Sequence, residues 1–451
     1  MSILDEIVKA YDIRGTVPDQ LDGEVAHALG VAYARFVNAD RVLIARDMRQ
    51  SGEQLSHEFA RGVMEQGLDV VDLGLGSTDM LYYAAGSLDA PGAMFTASHN
   101  PSQYNGIKLC LSGARPVGIN SGLADIRDFA AGVLDGRRPR LAETAGKMSS
   151  FDVLPAFVQH VLGFVNIDAI RPMRIVADTA NGMGGLVVPA VFEHLPMIEL
   201  EVMYGELDGT FPNHPADPLQ PANQRDLRGR VSTGGFDLGL AFDGDADRVF
   251  VVDELGVGMS GSTTTALLAA AVLRSNPGAT ILHNLICSRS VPETIAEHGG
   301  VAVRTKVGHS YIKQEMAATG AVFGGEHSAH YYFAENYRAD SGLIASMLVI
   351  DEISRCAQNL SVLRKPFERY AASGEINTQV DDPNAVIEHV SEAFARRDQD
   401  RLDGLSVDCS SWWFNLRPSN TEPLLRLNLE ASDRDECDSR VAEILALVTS
   451  T

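Results

Sequence analysis

Two short stretches of this chain hold residue types able to move a charged group. In Thr96-Ala97-Ser98-His99-Asn100-Pro101 a polar loop leaves the apolar run Gly92-Ala93-Met94-Phe95, so a serine hydroxyl is presented at the end of a buried strand. His99, Asn100 and the later Lys108 supply donors that can hold an anion beside that hydroxyl. Capping a following helix is the commoner duty of a serine at such a junction, and the loop by itself leaves both readings open. In Asp243-Gly244-Asp245-Ala246-Asp247-Arg248, three alternating carboxylates follow an apolar strand, and on extended backbone they would share one side. Adjacent carboxylates repel unless a cation neutralises them, and hard oxygen ligands favour Mg2+ or Ca2+. An EF-hand fits poorly, because Arg248 stands at the sixth position, where glycine is needed, and Val249-Phe250-Val251-Val252 reads as a strand. A phosphatase using the first aspartate as nucleophile is a rival for the same motif.

Two further loops offer binding chemistry. Glu326, Ser328 and His330 place acceptors and donors on alternate residues, a pattern suited to vicinal sugar hydroxyls, although in isolation a satisfied loop histidine is the better explanation of His330. Arg417-Pro418-Ser419-Asn420-Thr421 concentrates a guanidinium, two hydroxyls, an amide and backbone N–H groups, and Arg426 can add a second fork. Such a cluster suits a phosphate dianion. In Tyr11-Asp12-Ile13-Arg14-Gly15 an aromatic, an acid and an arginine precede a glycine turn, which an ordinary surface turn explains equally well.

The elements that must carry these loops repeat. Arg41–Asp47 is a strand, and Ser51–Gln66, with Leu55, Phe59 and Val63 at i+4 spacing, an amphipathic helix. Further strands at 69–74 and 92–95 lead into the Ser98 loop. Strands at 174–178, 199–203 and 237–242 lead into Asp243, and strands at 279–283, 301–304 and 321–323 lead into Glu326. Strands alternating with helices argue for βαβ units, whose right-handed crossovers gather loops at the carboxyl ends of the strands. The C-terminal part differs. A strand-like run within 366–380, a helix from Pro383 to about Arg397, β runs at 412–416 and 424–429 and a last helix at about 434–448 predict a small α+β module. The fold expected is α/β: three related domains with mixed sheets plus a C-terminal α+β domain around a central cleft, divided at 1–148, 149–252, 253–364 and 365–451.

Composition narrows the function. A chain of 451 residues needs several cores, and a formal charge of −23 makes nucleic-acid binding unfavourable without clustered cations. No apolar run reaches the length of a membrane span, no export signal is visible at the N-terminus, and the cytoplasm is the expected compartment. Five scattered cysteines in no CxxC spacing argue against disulfides or a zinc site and are expected to be buried thiols.

The four loops, 96–101, 243–248, 325–330 and 417–423, occur in the order found in the α-D-phosphohexomutase superfamily, and the chain resembles its bacterial phosphomannomutase/phosphoglucomutase branch over nearly its whole length, from Tyr11 to Arg426. The resemblance implies interconversion of mannose 6-phosphate and mannose 1-phosphate, with glucose phosphates as second substrates, through a phosphoserine and a hexose 1,6-bisphosphate that also serves as activator. Ser98 would be the phosphoserine, with His99 beside it. Asp243, Asp245 and Asp247 would hold one Mg2+ against it, and Arg248 would help neutralise the transferring group. Tyr11, Arg14, Lys108 and His309 would lie near the reacting hydroxyl, with Lys108 and His309 as acid/base candidates. Glu326 and Ser328 would bind sugar hydroxyls near His330, and Arg417, Ser419, Asn420 and Thr421 would grip the distal phosphate. Partners would be sugar phosphates, with no nucleic acid or membrane, and the protein a monomer or homodimer. Where several relatives carry lysine, this chain has Ile286, and Lys306 or Arg289 is the expected replacement. Phosphoglucosamine mutases, the nearest alternative, generally have glutamine where this chain has His327, which favours a hexose; a metal-dependent sugar phosphatase is more distant.

Overall fold

The computed structural model describes residues 2–418 and 424–449, with His309 described through its backbone. Four sheets follow one another along the chain. The first is seven-stranded, ordered Ile13–Thr16, Tyr104–Leu111, Gly92–Phe95, Arg41–Arg46, Asp69–Leu75, Met148–Ser150, with Arg115–Pro116 pairing at Tyr104–Leu111. The second runs Val249–Asp253, Leu238–Phe242, Met173–Asp178, Ile198–Met203, and the third Val301–Thr305, Thr280–Asn284, Phe323–Gly325, Tyr331–Phe333.

These three sheets share one device. Gly92–Phe95, Leu238–Phe242 and Phe323–Gly325 each pair in parallel with the preceding core strand on one side and antiparallel with the next strand on the other. The connection between that parallel strand and its antiparallel return is, in turn, the Ser98 loop, the Asp243 loop and the Glu326 loop. Three loops thus leave equivalent points of three equivalent units. The strand before Ser98 is apolar throughout because both its faces are covered: Met94 packs into one core, Ala93 and Phe95 into another.

The fourth sheet is entirely antiparallel, ordered Ala371–Gln379, Leu424–Ala431, Trp412–Pro418, Leu405–Asp408, Asp398–Asp400, with Pro383–Ala393 and Arg434–Thr449 as its helices. The expected helix from Pro383 ends at Ala393, four residues early. The strands Asp398–Asp400 and Leu405–Asp408 were not foreseen, being too short and polar to show a two-residue hydrophobic period.

One continuous apolar core runs through all three α/β units, from Leu43 to Leu360, and a second fills the other face of the first sheet. The C-terminal module has a separate core built on Val390, Trp412, Phe414, Leu427 and Ile444. Four cysteines are buried as expected, but Cys356 is only partly so, near the end of a helix beside Glu352. Among the described residues no helix is long and apolar enough to cross a membrane.

Candidate active site

Ser98 does not cap a helix. Its loop returns directly into Tyr104–Leu111, and Ser98 itself adopts a left-handed conformation with φ 48°, its N–H bonded to Thr96 Oγ1 at 2.9 Å. This turn leaves the hydroxyl free to donate to Asp243 Oδ2 at 2.8 Å, with His99 Nδ1 3.2 Å away. Burial and the nearby Arg248 and Arg14 charges push the His99 ring well below its ordinary pKa, so it stands neutral.

The aspartates converge by a turn and not, as expected, by extension. Ala246 takes φ 60°, and Ala246 N–H closes on Asp243 O at 3.2 Å, curling the segment so that one oxygen from each of Asp243, Asp245 and Asp247 falls within 4.8 Å of the others. Gly244 is required at the crest: a Cβ there would lie 2.4 Å from the Ser98 carbonyl oxygen, so the two loops touch backbone to backbone.

Charge in this buried cluster is partly balanced by the protein. Lys108 Nζ donates to Asp245 Oδ2 and Asp247 Oδ2, both at 2.7 Å, and Arg248 Nε donates to Asp243 Oδ2 at 2.9 Å. Burial penalises the Lys108 charge, but the two carboxylates outweigh it and hold the ammonium well above its ordinary pKa. Asp243 is pushed well up, by burial and by its two acidic neighbours against the pull of Arg248. Asp245 is held well below the usual range, because Lys108 and the Thr78 hydroxyl overcome its burial. With all three carboxylates ionised, the two cations leave one negative charge uncompensated, and burial against its acidic neighbours is what raises Asp243. Among the described residues, Asp245 Oδ1 and Asp247 Oδ1 are buried without a hydrogen-bond partner. An all-oxygen set with such orphaned acceptors fits a hard divalent cation.

The third unit faces the same cluster. His330 Nε2 lies 3.7 Å from Asp247 Oδ1, and its Nδ1 is 3.1 Å from Ser328 Oγ and 3.4 Å from Glu326 Oε2. Burial lowers this imidazole to about 3, so it too is neutral near pH 7. Glu326 accepts from Tyr332 Oη at 3.0 Å, Asn284 Nδ2 at 3.3 Å and the Gly308 N–H at 3.0 Å, which ties the loop to the start of the helix His309–Thr319. The His309 side chain lies outside the described atoms. From the first unit, Tyr11 packs its ring toward Gly308, and Arg14 Nη1 donates to Asn100 Oδ1 at 2.5 Å within the serine loop.

Arg417 and Arg426 come from the C-terminal sheet, where both pair with Glu375, and Arg417 lies near enough to Tyr11 for their charges to act on each other. Ser419, Asn420 and Thr421 lie outside the described residues. Arg289, expected to replace the missing lysine, is committed to Asp408 at 2.7 Å and to the Ser410 carbonyl at 2.6 Å. Ile286 lines a cavity of about 370 Å³ between the third unit and this module, together with Ser262, Ser288, His327, Trp413 and Glu430. Lys306 lies by the Tyr311 ring, 5.8 Å from its centroid.

Sequence reasoning overlooked Arg49. Its buried guanidinium donates to the carbonyls of Ser98 (2.8 Å), Asn100 (2.7 Å), Pro101 (2.9 Å) and Tyr104 (2.8 Å), while Asp47 accepts from its Nε at 3.2 Å. Four carbonyls on one fork hold the serine loop in shape. Thr78, which donates to Asp245 Oδ2 at 2.5 Å, was missed as well. The only signal was an arginine and an acid two residues apart at a strand end, too common to be read alone.

Known proteins place this geometry. Models of the phosphoglucomutase/phosphomannomutase α/β/α domains I, II and III match residues 5–128, 155–256 and 260–370, and the model of the family's C-terminal domain matches 375–447. A phosphomannomutase of Salmonella montevideo is 37% identical over 452 residues, covering 98% of each chain. A protein of Xanthomonas campestris pv. campestris named for phosphohexose mutases is 38% identical over 446 residues, again 98% of each. The crystal structure of a phosphoglucomutase/phosphomannomutase family protein from Burkholderia thailandensis superposes with a TM-score of 0.87 at 30% identity, covering 98% of both chains. With all four domain models matched in order and relatives aligned end to end, the chain belongs to the phosphoglucomutase/phosphomannomutase family of phosphohexomutases.

Proposed function

We propose that the protein is a phosphomannomutase that interconverts mannose 6-phosphate and mannose 1-phosphate reversibly, and also acts on glucose phosphates. The observation that carries this reading is the bond from Ser98 Oγ to Asp243 Oδ2 at 2.8 Å, inside a carboxylate cluster with orphaned oxygens. We read four domains, 1–148, 149–252, 253–364 and 365–451, of which the first three each bring one of the described loops to the Ser98 site.

Phospho-Ser98 passes its phosphoryl group to the free hydroxyl of the sugar monophosphate. The serine P–O bond breaks, a sugar P–O bond forms, and the hydroxyl proton leaves to a base, for which His309 is the candidate. Asp243, Asp245 and Asp247 would hold Mg2+, which when bound neutralises charge on the phosphoryl oxygens. Lys108, fixed as an ammonium between two carboxylates, supports the reading of a positioned charge more than that of a base. Arg248 adds a second fixed charge beside Ser98, Arg14 orients the loop through Asn100, and the neutral His99 ring accepts or donates at Ser98 Oγ. Glu326, Ser328 and His330 meet the sugar hydroxyls. Arg417, Ser419, Asn420, Thr421 and Arg426 grip the phosphate that is not reacting. The bisphosphate then turns by about half a revolution and returns its other phosphate to Ser98, a step suited to a clamp on a separate module.

Phosphorus NMR of mannose 1-phosphate with enzyme, Mg2+ and a trace of hexose 1,6-bisphosphate tests the reading. Mannose 6-phosphate should appear; inorganic phosphate without it would show a phosphatase. Parallel runs with glucose and glucosamine phosphates rank the sugars.

A further inference from the structure

The C-terminal clamp contains an acid that a phosphate site would be expected to exclude. Glu375 Oε2 accepts from Arg417 Nη2 at 3.0 Å, and its Oε1 lies 3.3 Å from Arg426 Nη1, so one carboxylate spans both guanidinium groups. The two arginines are direct cross-strand partners, a like-charged pair that repels when left uncompensated. Glu375 reaches them through a local irregularity. The ladder between Ala371–Gln379 and Leu424–Ala431 shifts register between Ala372 and Glu375, with Gly374 at φ 71°, and Ser373 Oγ accepts the Leu429 N–H at 3.0 Å. A bulge of this kind re-aims the side chain that follows it. Glu375 then sits opposite Asn428 and diagonal to Arg426, on the face that carries the arginines. Arg417 is buried, and among the described residues its Nε has no acceptor, so Glu375 does not exhaust its donors.

A carboxylate bridging two guanidinium forks presents the same oxygens, at the same donors, as a phosphate would. We propose that Glu375 is an intramolecular stand-in for the substrate phosphate, competing with it for Arg417 and Arg426 so that the clamp releases the bisphosphate in mid-reaction and is kept neutralised until it grips again. This rests on the phosphohexomutase reading of the clamp. Glu375 acts through the arginines and is a positioning residue. A purely structural glutamate, one that holds the arginines ready, would give the opposite sign on removal.

Phosphate binding decides between them. The chain's two tryptophans are consecutive on the clamp strand, Trp412 in the module's core and Trp413 on the face that carries Arg417, so their emission can report binding at this module. Titrations with inorganic phosphate and with glucose 1,6-bisphosphate would compare Ser98→Ala with Ser98→Ala/Glu375→Gln, where no turnover occurs. Competition predicts about tenfold tighter binding of both ligands to the double variant. In the presence of Ser98, KM and kcat should fall together, and Glu375→Asp should restore much of the release. Unchanged or weaker binding, or a raised KM at constant kcat, overturns the proposal, and so does an absence of any phosphate response in both proteins. A thermal melt confirms that the variant module is folded. If phosphate competition is present but no hexose phosphate is converted by the wild type, the proposed function fails while the stand-in role survives.

Discussion

Ser98 sits where three units interlock through buried bonds. Thr78 and Lys108 of the first unit both reach Asp245 of the second, Ser98 reaches Asp243, Ser341 beyond the third sheet donates to Asp79 of the first at 2.6 Å, and one apolar core runs beneath them all. Arg417 stands on a module with its own core, docked on the third unit through polar contacts that include Arg289 to Asp408 and Ser410, Arg304 to Asp400, and the Val307 N–H to Asp403. Polar docking faces are re-formed at lower cost than apolar cores are repacked, so the first arrangement resists displacement and the second permits it. A reaction that transfers a group at one fixed point and must regrip its substrate elsewhere needs this division.

The largest effect is expected at the fixed point. Ser98→Ala should lower mutase kcat by about 10⁴-fold or more, measured by coupled assay, since among the described residues no other hydroxyl donates to Asp243. Asp245→Asn removes the charge that Lys108 faces and replaces one of the two oxygens with an amide nitrogen, and should cost about 10²–10³-fold with a raised Mg2+ requirement; full activity at low Mg2+ would remove Asp245 from the centre. Stability should divide in the same way. Phe414→Ala is expected to cost about 3–5 kcal/mol and, in calorimetry, to lower a transition of the C-terminal module alone, whereas Phe242→Ala, in the shared core next to Asp243, should lower the transition of the other three units. A single transition that shifts equally in both variants would erase the distinction. The smallest change belongs to the docking face: Arg289→Ala, which loses half-exposed contacts, should leave kcat within about twofold and raise KM about three- to fivefold.

Much of this division was legible in the sequence, because it depends on motifs at strand ends. Gly92–Phe95, Leu238–Phe242 and Phe323–Gly325 are short apolar runs that stop at polar loops, and the repetition of that pattern told of three units before any pairing was known. The conformation of the loops was not legible. Ser98 at φ 48° and Ala246 at φ 60° are non-glycine residues in the left-handed region, a state that tertiary contact imposes and local sequence does not announce. Arg49 escaped notice for a related reason: its four acceptors are backbone carbonyls about 50 residues away, which have no sequence signature. The bulge that aims Glu375 shows only as a glycine inside a strand.

The central claim is that Ser98 carries the phosphoryl group between two ends of one sugar. Incubation with glucose 1,6-bisphosphate carrying labelled phosphate and Mg2+, followed by intact-mass and peptide analysis, should show one added phosphoryl group on Ser98, and a chase with mannose 1-phosphate should carry the label into mannose 1,6-bisphosphate and mannose 6-phosphate while unlabelled phosphate replaces it on Ser98. A phosphoryl group on any other residue, or its loss to water as inorganic phosphate without transfer to the sugar, would contradict the account.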